Sequence, residues 1–135
     1  MNYNKSIKDH INLAEKLIKQ EKDFQQILKI FIQTIKNKGT IYWIGNGGSA
    51  ADCEHFAAEL MIKFKKLRKP IKSISLTTNT SLLTAHSNDF NYKTIFSRQL
   101  EALATKNDLV VIFSTSGNSQ NILDTLKFAN KKKIK

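Results

Sequence analysis

Gly45-Asn46-Gly47-Gly48-Ser49 follows the apolar run Ile41-Tyr42-Trp43-Ile44, and Ser114-Thr115-Ser116-Gly117-Asn118-Ser119 follows Leu109-Val110-Val111-Ile112-Phe113. Each stretch stands where an extended segment hands over to a helix. Small residues let a backbone approach a ligand closely, and the N–H groups of a helix start, with hydroxyls beside them, hold an anion. Two such loops in one chain point to a phosphorylated small molecule gripped at one end and contacted at the other. Ser114, Thr115, Ser116 and Ser119 can each donate to phosphate oxygens, and the helix start adds about 0.3–1 kcal/mol of dipole attraction. A polar turn with Ser119 as N-cap is the structural alternative, but three consecutive hydroxyls exceed what capping requires.

His55 and Glu59 lie four apart in the helical segment after the first loop, so they share one face. They could serve as a general acid–base pair or as two ligands of a divalent metal, most simply zinc. A surface His–Glu pair has the same spacing, and the flanking loop tips the reading towards function. Asn88-Asp89 could hydrogen-bond sugar hydroxyls or simply form a turn with Asp89 capping the next helix. Cys53 has no base at a recognisable spacing and reads as packing, while His10 and His86 receive no role. Gly45 to Ala50 formally satisfies G-x-G-x-x-A, a dinucleotide fingerprint. No Asp or Glu falls between Glu59 and Asp89 to take a ribose, and no Walker A lysine follows either loop. A phosphosugar loop is the better use of these residues.

The elements that must position them alternate. Ile7, Ile11, Ala14, Leu17 and Ile18, then Phe24, Ile27, Leu28, Phe31 and Ile35, recur at helical spacing, with Gly39 as a stop. One or two amphipathic helices therefore fill residues 1–38, either packing on a partner subunit or covering their own sheet. A strand at 40–44, a helix at 50–64, a strand at 71–76, a short helix at 81–86, a loop at 87–91, a helix at 92–104, a strand at 109–113 and a helix at 120–129 follow. In the helix at 92–104, Ile95, Phe96, Leu100 and Leu103 face inward. Alternating strands and helices predict an α/β fold over 39–135: a parallel sheet with flanking helices and right-handed crossovers. Ligands in such folds sit at the carboxyl ends of the strands, where both loops fall.

The 135 residues suit one domain, 41% of them hydrophobic. A single cysteine excludes an intrachain disulfide and fits a reducing compartment. The N-terminus shows no signal-peptide pattern, and no run approaches the roughly 18 apolar residues of a membrane span. The chain thus reads as soluble and cytoplasmic, with no membrane partner. The formal charge of +11 comes from scattered lysines, with local clusters at Lys63, Lys65, Lys66, Arg68 and Lys69 and at the C-terminal end. Neither cluster carries the repeated aromatics of a base-stacking surface, the first holding Phe64 alone, so nucleic acid is not expected as a partner, and the charge steers anionic substrates.

Taken together, the N-terminal helices, the 45–49 loop, His55-Phe56-Ala57-Ala58-Glu59, Asn88-Asp89-Phe90, Phe96-Ser97-Arg98 and the 114–119 loop resemble the sugar isomerase (SIS) domain family, and more closely its phosphoheptose isomerases. The resemblance implies a flavodoxin-like three-layer sandwich and the isomerisation of sedoheptulose 7-phosphate to D-glycero-D-manno-heptose 7-phosphate in bacterial heptose synthesis for lipopolysaccharide core or capsule. It implies that Ser114, Thr115, Ser116 and Ser119 hold the phosphate and that Asn46, Gly47, Gly48, Asn88 and Asp89 hold the sugar. Glu59 would be the base, and His55 and Glu59 two zinc ligands as well as the catalytic pair, in a homotetramer with sites shared between subunits. Members of the family continue with further strands and a long helix bearing a Gln and a second catalytic His. This sequence stops at Asn130-Lys131-Lys132-Lys133-Ile134-Lys135, so the resemblance implies a C-terminally incomplete domain. The alternative within the family is a non-catalytic phosphosugar-binding module or a protein of the DnaA initiator-associating type. Glu59 and the unbroken Thr115-Ser116-Gly117 favour the isomerase.

Overall fold

The computed structural model describes residues 2–135. Two helices come first, α1 (Tyr3–Ile18) and α2 (Glu21–Lys36). Asn2 caps α1, its side chain accepting from the Lys5 N–H at 3.2 Å. α2 ends at Lys36, and its left-handed stop residue is not Gly39 but Lys38, one position earlier (φ 58°). The Lys38 N–H donates to Ile35 O and the Gly39 N–H to Thr34 O, the paired bonds of a Schellman stop.

The chain then alternates: β1 (Ile41–Gly45), α3 (Gly48–Met61), β2 (Ser73–Ser75), α4 (Thr80–Asp89), a 3₁₀ turn at Tyr92–Thr94, α5 (Ile95–Leu103), β3 (Leu109–Phe113) and α6 (Gln120–Lys132). The three strands are parallel in the order β2-β1-β3. The central strand is buried along its whole length, as a strand covered on both faces must be. Side-chain alternation divides the core into two layers. Tyr42, Ile44 and Ile112 pack with Ile95, Phe96, Leu100 and Ile122 under α5 and α6. Ile41, Trp43 and Val111 pack with Cys53 and Ala57 of α3 and with Phe31 of α2. The result is the expected three-layer α/β sandwich.

Two polar anchors tie strand ends together. The Asp108 carboxylate, itself buried, accepts from the Thr40 N–H at 2.7 Å, the Thr105 N–H at 2.6 Å and the Thr105 hydroxyl at 3.0 Å. The Trp43 indole N–H donates to Ser73 Oγ at 2.8 Å across the β1–β2 pair.

Several boundaries differ from the sequence reading. The expected strand at 71–76 pairs over only Ser73–Ser75, because it is a sheet edge that follows Pro70. α4 runs on through Asp89, so the expected loop at 87–91 is mostly helix. The helix at 92–104 opens as a 3₁₀ turn, and Leu103 points outward at 51% exposure while Ile95, Phe96 and Leu100 are buried. α1 buries no residue, and of α2 only Thr34 is fully buried.

Candidate phosphosugar site

The strand order sets where a ligand can sit. β2 and β3 flank β1 on opposite sides, and the connections that leave β1 and β3 at their carboxyl ends diverge, α3 to one face of the sheet and α6 to the other; such a switch point opens a crevice. Register pairs Gly45 with Phe113 there, which sets the 45–49 and 114–119 loops side by side.

Each loop is built to leave donors open. Gly47 has φ 55° and ψ −122°, a conformation closed to residues with a Cβ, and it starts α3 with no side-chain cap. The Ser49 and Ala50 N–H groups are taken by Asn46 O and Gly47 O, whereas Gly47 and Gly48 are exposed. In the second loop Ser114 Oγ accepts from the Gly117 N–H at 3.1 Å and Ser116 Oγ from the Asn118 N–H at 3.2 Å. Those bonds fix the loop through the hydroxyl lone pairs and leave each O–H hydrogen to give. Ser119 stands at the N-cap of α6, but its side chain makes no capping bond, so its hydroxyl is not committed to the helix. The crevice thus gathers the hydroxyls of Ser114, Thr115, Ser116 and Ser119 on one side and the exposed backbone of Gly47 and Gly48 on the other, in an arrangement suited to a phosphorylated small molecule.

Asn46 belongs to the same crevice and joins its two sides. Its amide forms a reciprocal pair with Asn121 near the start of α6, at 3.0 and 2.8 Å, and also accepts from the Tyr92 hydroxyl at 3.2 Å. Neither Asn121 nor Tyr92 stands out in the sequence. The one signal is a polar residue, Asn121, next to Ile122 on the buried side of α6.

His55 and Glu59 meet as their spacing requires, with His55 Nε2 3.7 Å from Glu59 Oε1. They do not face the crevice floor. They line a groove of about 530 Å³ between α2 and α3, with Phe24, Ile27, Phe31, Phe56, Phe64 and Arg68. Glu59 Oε2 is buried there without a hydrogen-bond partner, and an orphaned carboxylate oxygen of this kind is commonly completed by a ligand, a metal or a partner. Arg68 donates to Glu59 O and Leu60 O at 2.7 Å each and so caps the last turn of α3. The sequence places Arg68 in a surface lysine cluster; in the fold it is half-buried and structural.

Asn88 and Asp89 form the last turn of α4, not a loop. They are exposed and bonded to each other, Asn88 Nδ2 donating to Asp89 Oδ1 at 2.8 Å. Among the described residues no hydrogen bond joins them to either loop. Asp89 does not cap the following turn; Asn91 does, accepting from the Lys93 N–H at 2.8 Å. Cys53 is buried, and desolvation first, then the neighbouring Asp52 and Glu54, push its thiol up to about 11, which suits packing and not a nucleophile. His86 is buried too, stacked on Phe90 and within 3.0 Å of Thr94 Oγ1.

For the expected zinc, the residues present fit in part. His55 and Glu59 offer two donors on one helix face, but no group of three His, Cys, Asp or Glu side chains able to hold a metal occurs among the described residues. A tetrahedral site needs more than two donors. No helix among the described residues is long and apolar enough to cross a membrane.

The SIS domain model matches residues 2–135. Phosphoheptose isomerase from Campylobacter concisus is 45% identical over 129 residues, which is 96% of this chain and 65% of that protein. Its counterpart from Aliarcobacter butzleri is 47% identical over 117 residues, 87% of this chain and 62% of that one. The chain therefore spans less than two thirds of these curated relatives. Among solved structures, a phosphoheptose isomerase from Francisella tularensis superposes with a TM-score of 0.85 at 27% identity, covering 100% of this chain and 73% of that one. The Neisseria gonorrhoeae enzyme gives 0.73 at 34% identity, covering 98% and 71%. With residues 2–135 matched by the family model and the fold shared with these structures, the chain belongs to the SIS-domain family.

Proposed function

We propose that this chain carries the phosphate-gripping and base-bearing part of a phosphoheptose isomerase, acting on sedoheptulose 7-phosphate and yielding D-glycero-D-manno-heptose 7-phosphate. The observation that carries the reading is the pairing of the two donor-rich loops at the β1/β3 switch point. Ser114, Thr115, Ser116 and Ser119 hold the phosphate, and Asn46, Gly47 and Gly48 hold the sugar, joined by Asn88 and Asp89 at the end of α4. Glu59 is the base. Its carboxylate takes the proton from C1 of the ketose, the electron pair of that C–H bond forms the C1=C2 bond, and the C2=O π pair moves onto O2, which takes up a proton to give the enediol; a proton then returned to C2 by the C1=C2 pair, as O1 loses its hydrogen and C1=O1 forms, completes the aldose. His55, beside Glu59, orients that carboxylate and shares the proton handling.

From Gly47 to Glu59 the axis of α3 rises roughly 18 Å at about 1.5 Å per residue, further than one heptose phosphate extends. The loops of one subunit therefore serve the Glu59 of another. This reading also uses the apolar residues that α1 and α2 leave exposed, among them Ile11, Leu17, Phe24 and Ile27. We infer a homotetramer with sites built across subunits. Zinc, when bound, would polarise the sugar oxygens at C1 and C2; His55 and Glu59 would be two of its ligands. The place of action is the cytoplasm, in heptose synthesis for lipopolysaccharide core or capsule.

The test is turnover of sedoheptulose 7-phosphate by the 135-residue chain, followed by NMR of the aldose, with and without added zinc. Aldose formation that disappears in Glu59→Gln supports the reading. Turnover that survives Glu59→Gln removes Glu59 as the base, and a folded chain that neither turns over nor binds the sugar phosphate removes the reading itself.

A further inference from the structure

The Asn46 amide is held in a way that decides what it can offer a ligand. Its Nδ2 donates to Asn121 Oδ1, while its Oδ1 accepts from both Asn121 Nδ2 and the Tyr92 hydroxyl. The orientation of such amide pairs is ordinarily ambiguous, but here the backbone fixes it. The Ile122 N–H, which donates to Ser119 O at 3.0 Å, also donates to Asn121 Oδ1 at 3.0 Å, and an amino group placed there would set two donors against each other. The atom of Asn121 at that position is therefore oxygen, its other terminal atom is the amino group, and Asn46 must present its oxygen to it. A carbonyl oxygen has two lone pairs and an amino group two hydrogens. Both lone pairs of Asn46 Oδ1 are occupied, and one of its two N–H hydrogens is occupied. A single N–H remains.

We propose that Asn121 and Tyr92 are positioning residues that make Asn46 a donor-only contact, so that at this point the crevice accepts a hydrogen-bond acceptor, a carbonyl or hydroxyl oxygen of the sugar, and offers nothing to a group that must donate. The inference rests on the phosphosugar reading above. Asn121 is buried at 3% exposure, and its pair with Asn46 spans from the end of β1 to the first turn of α6, so the network also holds the two loops as one unit. Tyr92, at 53% exposure, contributes through its hydroxyl and not through burial. That difference separates the two variants. Asn121→Asp keeps both acceptor contacts but cannot donate to Asn46 Oδ1. Tyr92→Phe removes one hydroxyl from the surface and leaves the fold intact.

The experiment is an NMR titration of the 135-residue chain and both variants with two probes, sedoheptulose 7-phosphate and inorganic phosphate, while the Asn46 side-chain amide is observed. In the wild type the sugar phosphate should shift one Asn46 N–H resonance and leave its hydrogen-bonded partner in place. Tyr92→Phe should weaken sugar phosphate about 3- to 10-fold, the scale of one neutral hydrogen bond, and leave inorganic phosphate within twofold. Asn121→Asp should weaken sugar phosphate at least as much, while the Asn46 N–H bonded at position 121 stays unresponsive to it. Equal weakening of both probes in Tyr92→Phe, which changes no charge, would reduce the pair to a merely structural role, and unchanged sugar-phosphate affinity in both variants would overturn the proposal. A wild type that binds inorganic phosphate but not the sugar phosphate, or neither, refutes the phosphosugar reading before any variant is compared, and the proposal with it.

Discussion

Individual side chains in this protein divide by whether their partner is near or far in sequence. His55 and Glu59 meet because a helix brings positions four apart onto one face, and this was readable from spacing alone. Arg68 was not: it reaches back eight and nine residues through an irregular turn to cap α3, a path no periodicity reports. No basic residue of its own occupies the last turn of α3, so Arg68→Ala should leave the Glu59 and Leu60 carbonyls without their cationic partner and cost about 1–3 kcal/mol. Arg68→Lys should recover only part, because an ammonium cannot span both carbonyls as the guanidinium does; urea denaturation reads both. Cys53 gives a pH prediction. Its folded thiol titrates near 11, above the usual thiol value, so the folded state holds the proton more tightly than the unfolded chain. The stability this contributes is complete below about pH 8.5 and falls as pH rises towards 11. Iodoacetamide should label Cys53 only on unfolding, and Cys53→Ala should flatten the alkaline decline; a native thiol alkylated at the unfolded rate would contradict its burial.

At the scale of elements, the strand β3 and the start of α6 follow the sequence reading because a five-residue apolar run and a hydroxyl-rich turn leave few alternatives. Ser, Asn and Asp favour turns, so the sequence of 87–91 predicts a loop. The fold overrides that preference: the Ser87 hydroxyl donates to Leu83 O at 2.7 Å, and the buried His86 stacks on Phe90. Asn88 and Asp89 consequently move from a loop to a helix end. The two strand starts depend on Asp108, whose carboxylate serves Thr40 and Thr105 from a buried position. Asp108→Ala strands two backbone donors and should cost about 2–4 kcal/mol. The loss should appear as a lower urea midpoint with an unchanged slope; a change under 0.5 kcal/mol would mean that water replaces the carboxylate.

For the molecule as a whole, the order of strands and helices announces a parallel sheet with flanking helices, and the crevice follows from it. Which surface the first two helices cover was left open by the sequence. In the fold α1 covers none of its own sheet, and α2 contributes Phe31 and Thr34. Its remaining apolar face, with that of α1, is what a second subunit would bury. Double substitution Ile11→Lys and Leu17→Lys should convert an oligomer to a smaller species in analytical ultracentrifugation without changing the circular dichroism of the sheet domain, whereas an unchanged mass would place the interface elsewhere. The measurement that bears most directly on the central claim is amide chemical-shift mapping with sedoheptulose 7-phosphate. The largest shifts should fall on Gly47, Gly48 and residues 114–119, and Ser116→Ala and Ser119→Ala should each weaken binding about 3- to 10-fold. Shifts confined to other surfaces, or none at millimolar ligand, would contradict it.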